Sequence, residues 1–211
     1  LEMVRRHAAE CPSAVTTYML CPNGIQKMLY PSAREELATR GALPKLVAAG
    51  KDPFGELLAA LRERRFETFI TWRMNEVHNV DRPDEPDLSR TWREHPEYRV
   101  ARGENPGDWM SQCLDYSLEP VREYSLGLIL ECLEKYLPDG IELDWMRFPR
   151  HLAGGAEEVW GGRHHLTDVL ARAKADADAL ARRLRRPVRV AVRVPSSAEG
   201  CRAMGADLAE W

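Results

Sequence analysis

Residues 139–148 read DGIELDWMRF, and the alternation within them separates the possible folds. Side chains on a strand point to opposite faces in turn. Ile141, Leu143 and Trp145 therefore share one face, and Glu142, Asp144 and Met146 share the other. A parallel strand covered on both faces is nearly all apolar. Two carboxylates on one face are costly there unless that face meets solvent or polar partners. The inside of a (β/α) barrel near its C-terminal mouth is such a place, and barrel active sites lie there. Asp144 stands nearer that mouth than Glu142, so it is the first candidate for chemistry and Glu142 the second. The alternative is that Arg147 or Arg193 holds both carboxylates in a structural role.

Outward from this stretch, strand-like and helix-like segments alternate. Residues 14–21 (AVTTYMLC), 66–74, 140–148 and 188–194 (VRVAVRV) read as strands, rich in β-branched and aromatic residues. The turn Pro22-Asn23-Gly24 closes the first. Helices are expected over 32–40, with Ser32 and Glu35 at capping-box spacing, and from Asp52-Pro53, where Asp caps and Pro takes the first helical position. Two more are expected over 119–136 and 163–183. Residues 79–110 form a long polar stretch with Pro83, Pro86, Pro96 and Pro106 and one short helix, a pattern typical of a lid or binding loop. Strand, helix, strand, helix predicts parallel βαβ units. A doubly wound sheet and an eight-fold barrel both fit. The expectation taken is one TIM-type (β/α)8 domain over 1–211. A full barrel takes about 250 residues, so its closing strands are expected to lie beyond this sequence.

The bulk properties exclude other classes. A chain of 211 residues, 44% hydrophobic and 30% charged, can bury a core. A formal net charge of -3 gives no basic excess for nucleic acid. No apolar run is long enough to span a membrane. The chain starts at Leu1 with no visible signal peptide, so its native start is expected to be absent and its compartment and oligomeric state stay open. Five cysteines with no CxxC argue for free thiols over a disulfide framework. No GxGxxG, Walker or GxSxG pattern occurs, and no cofactor is implied. HExxH and HxH are absent too. His78, Glu142, Asp144 and His164-His165 still leave a metal-dependent hydrolase or isomerase as a lesser reading.

Other strand ends carry polar groups that a barrel would bring to the same mouth. The second strand runs into Arg73, Asn75, Glu76 and His78. The last places Arg193 before Pro195, and the first carries Tyr18, Cys21 and Asn23. Arg, Asn and His suit sugar hydroxyls, and Trp72, Trp109 and Trp145 offer stacking faces. Singly, His78 reads as a loop histidine and Arg73 as a partner for Glu76.

Together these residues form longer strings. DGIELDWMRFPRHL (Asp139–Leu152) resembles the DGI-x-LD-aromatic-x-R-aromatic-P strand of bacterial glycoside-hydrolase-like (β/α)8 barrel families. TWRMNEVHN (Thr71–Asn79), WREHPEYRV (Trp92–Val100) and LDYSLEPVREY (Leu114–Tyr124) are similar to stretches of the same proteins. The resemblance implies a barrel and a carbohydrate substrate, with Asp144 and Arg147 on matching motif positions. Glycoside hydrolysis normally needs two carboxyl groups, about 5–5.5 Å apart in retaining enzymes and about 6.5–9.5 Å apart in inverting ones. Glu142 and Glu76 are the candidate partners of Asp144. Arg147, Arg73, Asn75, His78, Arg193, Trp145 and Tyr18 are the candidate substrate-binding residues. A barrel that binds carbohydrate without cleaving it is the competing expectation.

Overall fold

In the computed structural model four strands lie side by side: β1 (Thr17–Leu20), β2 (Glu67–Arg73), β3 (Gly140–Asp144) and β4 (Arg189–Arg193). All pair in parallel and in chain order, β1-β2-β3-β4. The structure describes residues 14–82, 84–101 and 108–211, with Glu2, Arg6, Ala9 and Glu10. Seven α-helices with defined bounds are seen among them: α1 (Leu43–Ala48), α2 (Pro53–Glu63), α3 (Arg90–Glu94), α4 (Glu119–Tyr136), α5 (Ala156–Gly161), α6 (His164–Leu184) and α7 (Ala198–Met204).

The register sorts the strand residues into two faces. Ile70 aligns with Ile141 and Val190, and Trp72 with Leu143 and Val192. This face joins Leu58 of α2, Leu128, Ile129 and Leu133 of α4, and Val169, Ala173 and Ala177 of α6 in one apolar core. The opposite face is built from rungs. Phe69, Gly140 and Arg189 form one, Thr71, Glu142 and Ala191 the next, and Arg73, Asp144 and Arg193 the last. A doubly wound sheet covers both faces with helices and reverses its strand order at a switch point. Here the order never reverses, and the large core lies on one face alone among the described residues. The arrangement is a mixed α/β unit on a parallel four-strand sheet, with no closure among the described residues.

Local chemistry explains most element ends. Asp52 caps α2 by accepting the Gly55 N–H at 3.0 Å, with Pro53 at the first helical position. Pro120 lies in the first turn of α4, which ends at Leu137 in the left-handed region (φ 47°). Strand β3 stops at Asp144, short of the expected Phe148. The reason is Asp144 itself: its Oδ1 accepts the N–H groups of Met146 (3.0 Å) and Arg147 (3.1 Å), an Asx-type turn that leads the chain off the sheet. Gly140 admits no side chain, because a Cβ there would lie 2.3 Å from the Phe69 ring.

One expectation is corrected. Residues 32–40 are not helical. Ser32 Oγ does accept the N–H groups of Arg34 and Glu35, but Glu35 is drawn away: its Oε2 accepts the Tyr124 hydroxyl at 2.7 Å. The backbone of 36–38 pairs instead with Met28. A helix forms later, as α1. Within the stretch 79–110 the expected short helix forms as α3. Val77, Val80, Leu88, Trp92, Val100 and Cys113 form a second small core, and Asn75 ties it to the strand ends. Pro83 and residues 102–107, with Pro106, lie outside the described residues. No helix among the described residues is long and apolar enough to cross a membrane.

Candidate active site at the C-terminal edge of the sheet

Because the strands are parallel, Arg73, Asp144 and Arg193 end three adjacent strands on one rung of the uncovered face. The ladder continues past them: Met74 N–H donates to Asp144 O and Trp145 N–H to Arg193 O, each at 3.1 Å. On the β1 side the Asn23 amide takes the place of a strand. Its Nδ2 donates to Arg73 O at 2.8 Å, and its Oδ1 accepts Arg73 N–H at 3.1 Å.

Asp144 is buried yet fully engaged. Two backbone N–H groups fix Oδ1, and Arg193 donates to Oδ2 at 3.2 Å. One rung deeper on the same face, Glu142 Oε1 accepts the Thr71 hydroxyl at 2.6 Å. The Arg193 side chain is 60% exposed, whereas the Asp144 carboxylate is 5% exposed. A ligand arriving over this face would therefore meet Arg193 before Asp144.

Beyond β2 a second group forms around Glu76. Arg73 donates to Glu76 Oε2 at 2.5 Å and to Gly24 O at 2.8 Å. The other oxygen of Glu76 accepts the His78 N–H and pairs with His78 Nδ1. Arg147 contacts His78 Nε2 at 2.7 Å. A guanidinium only donates, so Nε2 is the acceptor and Nδ1 carries the proton that points at Glu76. The chain Arg147–His78–Glu76–Arg73 thus joins the ends of β3 and β2. Phe148 adopts φ 53° and sets its ring edge-on to His78, with centroids 5.1 Å apart, and under the Arg147 guanidinium at 4.9 Å. Trp109 completes this wall, 6.4 Å from His78 and 39% exposed.

Of the expected site residues, Asp144, Arg193, Arg73, Glu76, His78 and Arg147 come together at this edge, with Glu142 just below. Three others lie elsewhere. Asn75 is buried, and its amide is used up on Leu114, Arg150 and His151. Trp145 is wholly buried and has no free face; Trp72 is buried too, which leaves Trp109 as the aromatic surface. Tyr18 lies on the helix side of β1, its ring edge-on to Phe66 at 4.8 Å. His164 and His165 open α6, where His165 Nδ1 stands 3.1 Å from Arg122. Among the described residues no three His, Cys, Asp or Glu side chains cluster as a metal site would require. Burial pushes the Cys21 thiol up from its ordinary value, which disfavours thiolate chemistry at the end of β1.

Two residues carry this geometry without having stood out in the sequence. Phe148 read only as an aromatic position. His151 is fully buried; its Nε2 meets Trp145 O at 2.8 Å and its Nδ1 meets the Asn75 amide at 3.1 Å. Burial first of all lowers its pKa to about 4.

No family model matches the chain, and no curated protein matches it. Solved structures do. A variant of the GH36 α-galactosidase AgaA from Geobacillus stearothermophilus, in complex with 1-deoxygalactonojirimycin, is 17% identical with a TM-score of 0.50, over 90% of this chain and 25% of that one. Another variant, in complex with stachyose, is 14% identical with a TM-score of 0.50, over 97% and 26%. The chain spans about a quarter of the length of these enzymes. At such identity the likeness is one of fold: a mixed α/β unit built on a parallel sheet, similar to part of a GH36 α-galactosidase.

Proposed function

We propose that these four strands form one wall of a TIM-type (β/α) barrel of glycoside-hydrolase type that acts on an oligo- or polysaccharide, with Asp144 at the reacting bond. The observation that carries this reading is the presentation of Asp144. It ends a central parallel strand on the uncovered face and is aimed by two backbone donors and Arg193. A carboxylate so held can attack an anomeric carbon as a nucleophile. The fold similarity to α-galactosidases supports the same class, and the sequence resemblance points the same way. In this reading Arg193, Arg147, His78 and Arg73 hold sugar hydroxyls, and Glu142 is the second carboxylate.

The test is Asp144→Asn, assayed on aryl glycosides and oligosaccharides with α-galactosides among them. Turnover should fall about 10²–10⁴-fold while the thermal midpoint stays near that of the wild type. Unchanged turnover would sink the assignment. One observation favours a second reading, binding without cleavage. Both oxygens of Glu76 are occupied, and Glu142 shares a strand with Asp144, so neither flanks a bond from the opposite side. That reading predicts sugar binding with no turnover in the wild-type protein.

A further inference from the structure

Four arginines stand at or near the C-terminal edge, and they are not equivalent. Arg73 has a carboxylate, Glu76, at 2.5 Å, and Arg193 has Asp144 at 3.2 Å. Arg150, farther out, stands 3.6 Å from Asp108. Arg147 has no carboxylate partner among the described residues. Its neighbour is His78 Nε2, a ring nitrogen that accepts because a guanidinium cannot. His78 in turn gives its Nδ1 proton to Glu76, whose charge is already shared with Arg73. The Nε of Arg147 is buried without a hydrogen-bond partner among the described residues.

A partly buried cation without a counter-charge is unfavourable, and this one is held firmly. The Phe148 ring lies against its plane at 4.9 Å, and the left-handed backbone of Phe148 keeps that ring in place. His78 fixes one end of the fork. A guanidinium immobilised in this way is prepared for a planar or tetrahedral anion, which it can bind in bidentate fashion. Accessibility agrees. The Asp144 and Glu76 side chains are each 5% exposed, while Arg193 is 60%, His78 30% and Arg73 24% exposed. The rim that a ligand touches is cationic, and the acid below it, Glu142, sits one rung deeper beside Asp144, on the side of the chemistry.

We infer that the saccharide taken by this site carries a negatively charged substituent, a carboxylate or a sulfate ester, and that Arg147 receives it. The inference rests on the carbohydrate reading above and narrows its substrate class to acidic sugars. Arg147 is then a specificity residue: its contact selects the substrate and takes no part in bond cleavage.

Titration calorimetry of the full chain tests this with matched pairs of probes. One arm uses galacturonate and glucuronate oligosaccharides against their methyl esters, which keep the shape and lose the charge. The other uses sulfated galactan oligosaccharides against their desulfated forms. At least one charged member should bind roughly 10- to 100-fold more tightly than its neutral twin, the worth of one charge-assisted contact. The responding arm distinguishes carboxylate from sulfate. Arg147→Met should abolish that preference, so that charged and neutral members bind equally, and Arg147→Lys should restore part of it. If Arg147→Met does not fold, the wild-type salt dependence decides: added salt should weaken the charged member alone. Equal binding of charged and neutral members overturns the inference and leaves the carbohydrate reading intact. Binding of no saccharide of either kind overturns both.

Discussion

The two faces of the β2–β3–β4 sheet are built by opposite means. On the helix side Ile70, Trp72, Ile141 and Leu143 are buried to 2% exposure or less and belong to the large apolar core. On the other side every rung is held by a specific polar pair: Thr17 and Arg189 on Glu67, Thr71 on Glu142, Arg193 on Asp144. The first face is stabilised by area removed from water, which scales with size and tolerates no loss of volume. The second is stabilised by pairings that are individually modest near solvent. The stability of this fold should therefore be carried by one face, and its chemistry by the other.

The sharpest way to break that contrast is a pair of neighbours on one strand. Leu143→Ala should cost about 2–5 kcal/mol, since it leaves a cavity in a core that cannot collapse around it. Glu142→Ala, one residue away on the other face, should cost about 1 kcal/mol, the net worth of its bond to Thr71. Urea denaturation of both variants measures the difference. Equal costs would mean that the polar face is itself a covered core.

The same contrast explains what the sequence made legible. The apolar period of residues 119–136 and the alternation of β3 are local properties, and the observed limits of α4 coincide with the expected ones. The carboxylates Glu142 and Asp144 were visible as the wrong residue type for a buried strand. Segment 32–40 failed because its local signal was real but outcompeted: Ser32 caps a turn, and Tyr124, 89 residues along the chain, then takes Glu35. The structural parts of the site share this non-local character. Asn23 reaches Arg73 across 50 residues, and Asn75 reaches His151 across 76. No pattern within a strand-length window can register either.

His151 supplies the intermediate effect. Its pKa falls to about 4 in the fold, chiefly through burial, against an ordinary 6.5. Between these values the unfolded chain binds a proton that the folded one refuses. The stability contributed is thus complete above pH 6.5 and is lost as pH falls toward 4, by on the order of 3 kcal/mol. Urea midpoints across this window should decline in the wild type and decline less in His151→Gln, even though that variant starts from a lower stability. A parallel decline in both proteins would assign the acid sensitivity to other groups.

The smallest effect is expected where the chemistry is expected. Arg193→Ala removes the one side chain among the described residues that pairs with Asp144, and losing a partner of a buried carboxylate can be severe. Two observations limit the cost here. Asp144 keeps the Met146 and Arg147 N–H groups on its other oxygen, and Arg193 is itself 60% exposed, so water can reach the oxygen it leaves. The loss of stability should stay within about 1 kcal/mol by urea denaturation, while ligand affinity at the mouth falls by clearly more. A loss near that of Leu143→Ala would show that Arg193 belongs to the framework and not to the site, and would erase the division between the two faces at the rung where it matters most.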